Sequence, residues 1–160
     1  MSTTTYSLVL PFHAGTALVE KTVLRVLREG GERGVREVLL CHNGRPLAHD
    51  AQAKVDALAE ANKTPSSAAP IVVRSLHTDA KGIGAGYKLG IREAREPHII
   101  LSADDLPFGW TDLDAYEIAG RPDFAIGSKA HRSSRLAGIK GTRRLSTLMF
   151  RSLRVMMLGW

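Results

Sequence analysis

The sequence predicts an α/β fold: a doubly wound, mostly parallel sheet with helices on both faces, in a single domain covering residues 1–160. Two observations carry this. Short runs that are almost continuously apolar recur along the chain, as strands covered on both faces require. Between them lie stripes of apolar residues spaced three and four apart, the period of a helix with one buried face. The composition agrees: of 160 residues, 44% are hydrophobic and 24% charged, which suits one ordinary globular core.

Tyr6 to Leu10 reads as the first strand, stopped by Pro11. Val19, Val23, Val26 and Leu27 form the stripe of a first helix, ended by Gly30-Gly31. Val35 to Cys41 is the second strand, closed by Asn43-Gly44; Leu47, Ala51, Val55, Leu58 and Ala59 mark a second helix. Thr64 to Pro70 is a Pro/Ser/Ala linker, and Ile71 to Val73 starts a third strand. Ile83, Tyr87, Ile91 and Ala94 form a third helical stripe, and His98 to Leu101 a fourth strand. A short helix near Asp112 to Ile118, a strand near Phe124 to Ile126 and a basic C-terminal helix over Leu145 to Leu158 complete the pattern.

Charge is unevenly placed. After Asp123 there is no acidic residue, and eight of the 22 basic residues fall there, leaving 14 basic and 16 acidic residues for the rest. A nearly neutral body with a basic end suits an anionic partner: phosphate, nucleic acid or lipid headgroups. A solvated helix face is the plainer reading. Nucleic acid is disfavoured by an aromatic content of only 6% and by the absence of an RRM-type aromatic signature. Cys41 is the only cysteine, which excludes an intrachain disulfide. The start, Met-Ser-Thr-Thr-Thr-Tyr, has no basic n-region or apolar core of a secretory signal, and no run approaches the roughly 18 apolar residues of a membrane span. The expected location is cytoplasmic, or peripheral on the cytoplasmic membrane face.

In a doubly wound sheet, ligands bind beyond the carboxyl ends of the strands. Those positions hold Pro11, Phe12 and His13; His42 and Asn43; Lys81-Gly82-Ile83-Gly84-Ala85-Gly86 at the start of a helix; and Asp104-Asp105. Carboxylates there can hold a divalent cation against a diphosphate, or serve as a turn or helix-cap pair. Adjacent strand residues point to opposite faces, so the pair can share one cation only if the chain has already turned. The glycines admit either a phosphate at the helix N-terminus or close packing on the sheet. A nicotinamide fingerprint would need a third glycine or alanine where Tyr87 stands, although Asp104 does lie where a ribose-binding acid belongs. The histidines show no helical metal-ligand spacing, there is no G-x-S-x-G elbow, and Cys41 reads as core.

In order and spacing these segments resemble glycosyltransferase family 2, and within it the polyprenyl-phosphate (dolichyl-phosphate mannosyltransferase-like) branch. Ser7 to His13 is similar to the family's "S-V-V-I-P-x-Y", and Glu37 to Gly44 to the strand ending in "D-D-G-S". Lys81-Gly82-Ile83-Gly84-Ala85 resembles "R-G-K-G-A", and His98 to Pro107 the strand that delivers D-x-D. Phe124 to Lys129 resembles "V-V-I-G-S-R", and Arg143-Arg144-Leu145-Ser146 the R-R-x-x-S segment before an interfacial helix.

The resemblance implies a GT-A fold, a nucleoside-diphosphate sugar donor, Mg²⁺ or Mn²⁺, and inverting transfer to an acceptor such as a polyprenyl phosphate. It places the donor nucleotide on Pro11, Phe12, His13, His42, Asn43, Lys81, Gly82 and Gly84, and the metal on Asp104 and Asp105. Those two aspartates and Lys129 would carry catalysis, and Lys129, Arg132, Arg135, Arg143, Arg144 and Ser146 would receive the acceptor phosphate. The chain departs from the pattern in five places. Ala14-Gly15 stands for Asn-Glu, His42-Asn43 for Asp-Asp, and Ala103-Asp104-Asp105-Leu106-Pro107 for D-A-D-L-P. The R-R-x-x-S segment is one residue short, and the chain ends at Trp160 where the family continues into further sheet and acceptor elements. The alternative functions are a degenerate GT-A-like domain that binds nucleotide without turnover, and a nicotinamide- or nucleic-acid-binding α/β module.

Overall fold

The computed structural model describes residues 4–12, 16–44, 49–61, 70–107 and 109–127, with positions 149, 152, 156 and 157. Contacts gather the chain into two compact units, Met1–Gly109 and Trp110–Trp160. In the first, β1 (Tyr6–Phe12), α1 (Thr16–Glu29), β2 (Val35–Asn43), α2 (His49–Ala61), β3 (Val72–Thr78), α3 (Ile83–Glu93) and β4 (His98–Leu101) follow in order, with one 3₁₀ turn at Gly31–Arg33. The sheet has four strands in the order β3-β2-β1-β4, every pair parallel. The predicted α/β class, a Rossmann-like parallel sheet with helices, is the observed one.

Right-handed crossovers put α1 and α2 on one face and α3 on the other, because the chain moves outward from β1 to β3 and then returns to β4. The side chains follow. Leu8, Leu10, Val38 and Leu40 alternate with Val9, Leu39 and Cys41, and all are fully buried. Val19, Val23 and Val26 of α1 are buried as their stripe predicts. On the other face Val9, Leu39 and Cys41 pack with Leu76, Tyr87, Leu89 and Ala94.

The contact stripe of α3 differs from the predicted one. Gly86 and Gly90 are its buried residues, while Ile83 and Ile91 are exposed. A Cβ on Gly86 would lie 2.7 Å from Pro11 Cβ, and one on Gly90 would run into Val9 and Cys41 Sγ. The glycines therefore let the helix backbone settle onto β1 and β2 where larger residues would hold it off.

At the amino end of the sheet a buried carboxylate ties the layers together. Glu37 accepts from Ser7 Oγ (2.6 Å), Arg74 Nη1 (2.9 Å) and the Arg95 backbone N–H (3.0 Å). Arg74 also bonds the Glu93 carbonyl (2.8 Å) and carboxylate (3.0 Å) at the end of α3, and Ser7 Oγ accepts from the Glu96 N–H (3.1 Å).

β1 runs through Pro11 to Phe12 instead of stopping at the proline. Ser102 N–H donates to the Val9 carbonyl (3.1 Å), so odd-numbered residues of β1 turn their polar backbone toward β4. Pro11 lacks the N–H that would make the next bond toward β4, and the β1–β4 ladder stops there, with Val9 and Leu101 as its last pair.

In the second unit α4 (Thr111–Ile118) forms where predicted, with Asp112 and Asp114 in its first turn, where the helix dipole favours acids. The strand expected at Phe124–Ile126 is absent: these residues have no ladder, and Phe124 and Ile126 are exposed. A short apolar run without a partner strand has no hydrogen-bonding reason to extend. Of the C-terminal segment, Met149, Ser152, Met156 and Met157 are helical and exposed. Among the described residues no helix is long and apolar enough to cross a membrane.

Candidate functional site

Strand order reverses beside β1: its connection to β2 leaves one way, and β4 joins its other edge. In sheets of this kind such a reversal marks the carboxyl ends of the adjoining strands, here β1 and β4, as the place where ligands bind. β1 ends there in Pro11 and Phe12, both buried. β4 leads there into the loop Ser102 to Leu106.

That loop decides how the carboxylate pair is presented. After Leu101 the chain turns, and Leu106 N–H donates to the Ala103 carbonyl (3.1 Å). Asp104 and Asp105 are the two central residues of this turn, so the alternation that would have set them on opposite faces no longer applies. Asp104 is half-buried and Asp105 exposed. Leu106 closes the turn at φ 44°, a conformation few residues with a side chain adopt, and its side chain is buried. Such backbone positions concentrate where a loop must hold one shape.

The amino end of α3 lies on the same side of the sheet as Asn43. Asn43 Nδ2 donates to the Gly82 carbonyl (3.1 Å), which pins the entry to the helix against the end of β2. Gly82 has φ 94° and ψ 153°, a region open essentially to glycine alone. A Cβ on Gly82 or on Gly84 would meet nothing within 4 Å. The two explanations of the glycine-rich sequence therefore divide along the helix: Gly86 and Gly90 serve packing, while Gly82 and Gly84 leave the first turn bare toward solvent. Lys81 is exposed beside them.

Phe12 and His42 occupy the other face. In register with His77 they form a ladder of rings across β1, β2 and β3, with centroids 5.1 Å apart for Phe12–His42 and 5.7 Å for His42–His77. His77 Nε2 bonds the Gly44 carbonyl at 2.8 Å. Of the predicted nucleotide-binding residues, the structure thus brings Pro11, Asn43, Lys81, Gly82 and Gly84 to the α3 side of the strand ends, and turns Phe12 and His42 to the α1–α2 side.

Tyr87 was not among the predicted site residues. Its ring packs against the core beneath α3, and its hydroxyl donates to the Ser102 carbonyl (3.3 Å) at the root of the Asp104–Asp105 turn. Burial pushes the phenol up, and the negative charge of Asp104 adds to that rise. The signal for Tyr87 in the sequence was its place in the third helical stripe, which speaks of packing and says nothing of its hydroxyl. Cys41 is core, as expected: burial pushes its thiol up to about 12, far from the range of a nucleophile.

His13, Lys129, Arg132, Arg135, Arg143, Arg144 and Ser146 lie outside the described residues. Among the described residues no three His, Cys, Asp or Glu side chains cluster so as to hold a metal ion by themselves. Two carboxylates on one turn suit a hard cation that takes its remaining oxygen ligands from water and a diphosphate. No protein-family model matches the chain, and no curated protein or solved structure does.

Proposed function

We propose that the chain is a GT-A-type glycosyltransferase domain resembling family 2, which moves a sugar from a nucleoside-diphosphate sugar to an acceptor phosphate, with inversion. The observation that supports this reading best is the pairing of two elements at the strand ends. One is a carboxylate turn after β4. The other is a glycine-opened helix start, pinned by Asn43, on the α3 face of β1 and β2. A diphosphate needs both: backbone N–H groups on one side and oxygen ligands for its counter-cation on the other.

In this reading Asn43 and Pro11 line the nucleoside, and the bare turn at Gly82–Gly84 with Lys81 takes the diphosphate. Asp104 and Asp105 would hold Mg²⁺ or Mn²⁺, which when bound supplies positive charge to the departing diphosphate. An oxygen of the acceptor phosphate attacks C1 of the sugar from the opposite side. The C1–O bond to the diphosphate breaks, and its electron pair leaves with the nucleotide. A phosphate anion is already nucleophilic, so the chain's task is positioning and charge balance rather than proton abstraction. Lys129, Arg132, Arg135, Arg143, Arg144 and Ser146 would receive the acceptor, for which a polyprenyl phosphate at the cytoplasmic membrane face is the best candidate.

A second reading, nucleotide binding without turnover, draws on His42 and Asn43 standing where the family carries two acids. The test is thermal stabilisation by UDP, GDP, nucleotide-sugars and NAD, with and without Mn²⁺. Mn²⁺-dependent stabilisation by nucleoside diphosphates is expected. Stabilisation by NAD without metal would replace this reading with a nicotinamide site. Release of nucleoside diphosphate from a donor then separates transfer from binding alone.

A further inference from the structure

We propose that Tyr87 is the positioning residue that fixes where the Asp104–Asp105 turn leaves the sheet, its hydroxyl giving the Ser102 carbonyl the hydrogen bond that Pro11 cannot. Val9 pairs with Leu101, and the Ser102 N–H donates to the Val9 carbonyl. In a parallel ladder the next bond would run from the N–H of residue 11 to the carbonyl of residue 102. Residue 11 is proline and has no N–H, so the ladder stops there and the Ser102 carbonyl loses its partner in the sheet.

A buried or half-buried carbonyl needs another donor. The Tyr87 hydroxyl lies 3.3 Å from it. Tyr87 is held at that place by the two features already described: Gly86 lets α3 settle against Pro11 and Cys41, and the ring packs on Val9, Leu39 and Cys41. The same proline thus removes the strand's own donor and seats the helix that brings the substitute. The result is a chain that must turn after Ser102, and Asp104 and Asp105 are the corners of that turn. One bond then sets the spacing between the α3 start and the carboxylate pair.

The link from this geometry to cation binding rests on the function proposed above, so the experiment has two arms. In the first, amide hydrogen exchange is followed in the metal-free protein and in Tyr87→Phe, which keeps the ring and deletes the hydroxyl. The Ser102 and Leu106 amides, whose hydrogen bonds to the Val9 and Ala103 carbonyls hold the turn, are expected to exchange about tenfold faster in the variant, the worth of one hydrogen bond, with the melting temperature lowered by only a few degrees. Equal exchange overturns the positioning role. In the second arm, UDP and GDP affinities are measured by calorimetry with Mn²⁺ and with chelator. Tyr87→Phe is expected to lose about tenfold in the Mn²⁺-dependent affinity alone, and para-aminophenylalanine at position 87, which restores a donor, is expected to recover it. Equal loss with and without Mn²⁺, or no recovery, reduces Tyr87 to a packing residue and overturns the proposal. Wild-type protein that binds neither nucleotide more tightly with Mn²⁺ overturns the metal-site reading, and the exchange arm still decides whether Tyr87 sets the turn.

Discussion

A methyl group placed on Gly84 meets nothing within 4 Å, whereas on Gly90 it runs into Val9 and comes within 2.9 Å of Cys41 Sγ. The two substitutions should therefore part company. Gly90→Ala overpacks the α3–sheet contact and should destabilise by about 1–3 kcal/mol in chemical denaturation. Gly84→Ala should stabilise the helix by up to about 1 kcal/mol yet weaken nucleoside diphosphate binding. Unchanged nucleotide affinity in Gly84→Ala would remove the phosphate from that turn. Asp105 is exposed and makes no core contact that its loss would disturb, so Asp105→Ala should leave the melting temperature alone and abolish the Mn²⁺ dependence of nucleotide binding by calorimetry. That glycines and aspartates sat at strand ends was legible in the sequence. Which glycine touches the sheet was not, since it depends on what backbone the register sets opposite each one.

At the level of elements, α3 is pinned at its start by the Asn43–Gly82 hydrogen bond and fastened more heavily at its carboxyl end. The fastening is the Glu37 network, which joins β1, β2, β3 and the exit from α3. Burial pushes the Glu37 carboxyl up, but hydrogen bonds from Ser7, Arg74 and the Arg95 N–H, with the Arg74 charge, bring it below its ordinary value of 4.5. A lowered carboxylate stabilises the fold fully above its unfolded value, and that contribution fades as pH falls through the folded one. Urea midpoints should thus hold steady above about pH 4.5 and drop below it. Glu37→Gln should cost about 2–3 kcal/mol near neutrality and flatten the acid limb. The sequence signal for this network is a lone acid inside an apolar strand, which needs a partner, and Arg74 lies in the next strand of the same sheet. The strand alternation itself was readable because β1 and β2 are buried on both faces. Phe124–Ile126 looks the same by composition, and only the lack of a neighbouring strand among the described residues separates it from a true ladder.

For the molecule as a whole, the acid-free stretch beyond Asp123 sits in the second unit, where the described apolar residues Ile118, Phe124, Ile126, Met149, Met156 and Met157 are exposed. Exposed apolar groups in a stretch whose sequence carries cations and no acid suit an anionic lipid surface, each cation near such a surface contributing about 1 kcal/mol. Co-sedimentation with anionic liposomes should fall as salt rises, and Arg143→Ala with Arg144→Ala should reduce it and lower transfer to a polyprenyl phosphate. A double variant with undiminished sedimentation would remove these arginines from the lipid contact. The first unit offers its own timepiece. Cys41 is the chain's only cysteine, and its sulfur lies directly under the backbone of Gly90. A thiol reagent can reach it only when the helix lifts, so the labelling half-life clocks that departure without any added probe. Saturating nucleotide with Mn²⁺ should lengthen the half-life, because a ligand bound across the α3 start must be shed before the helix can rise.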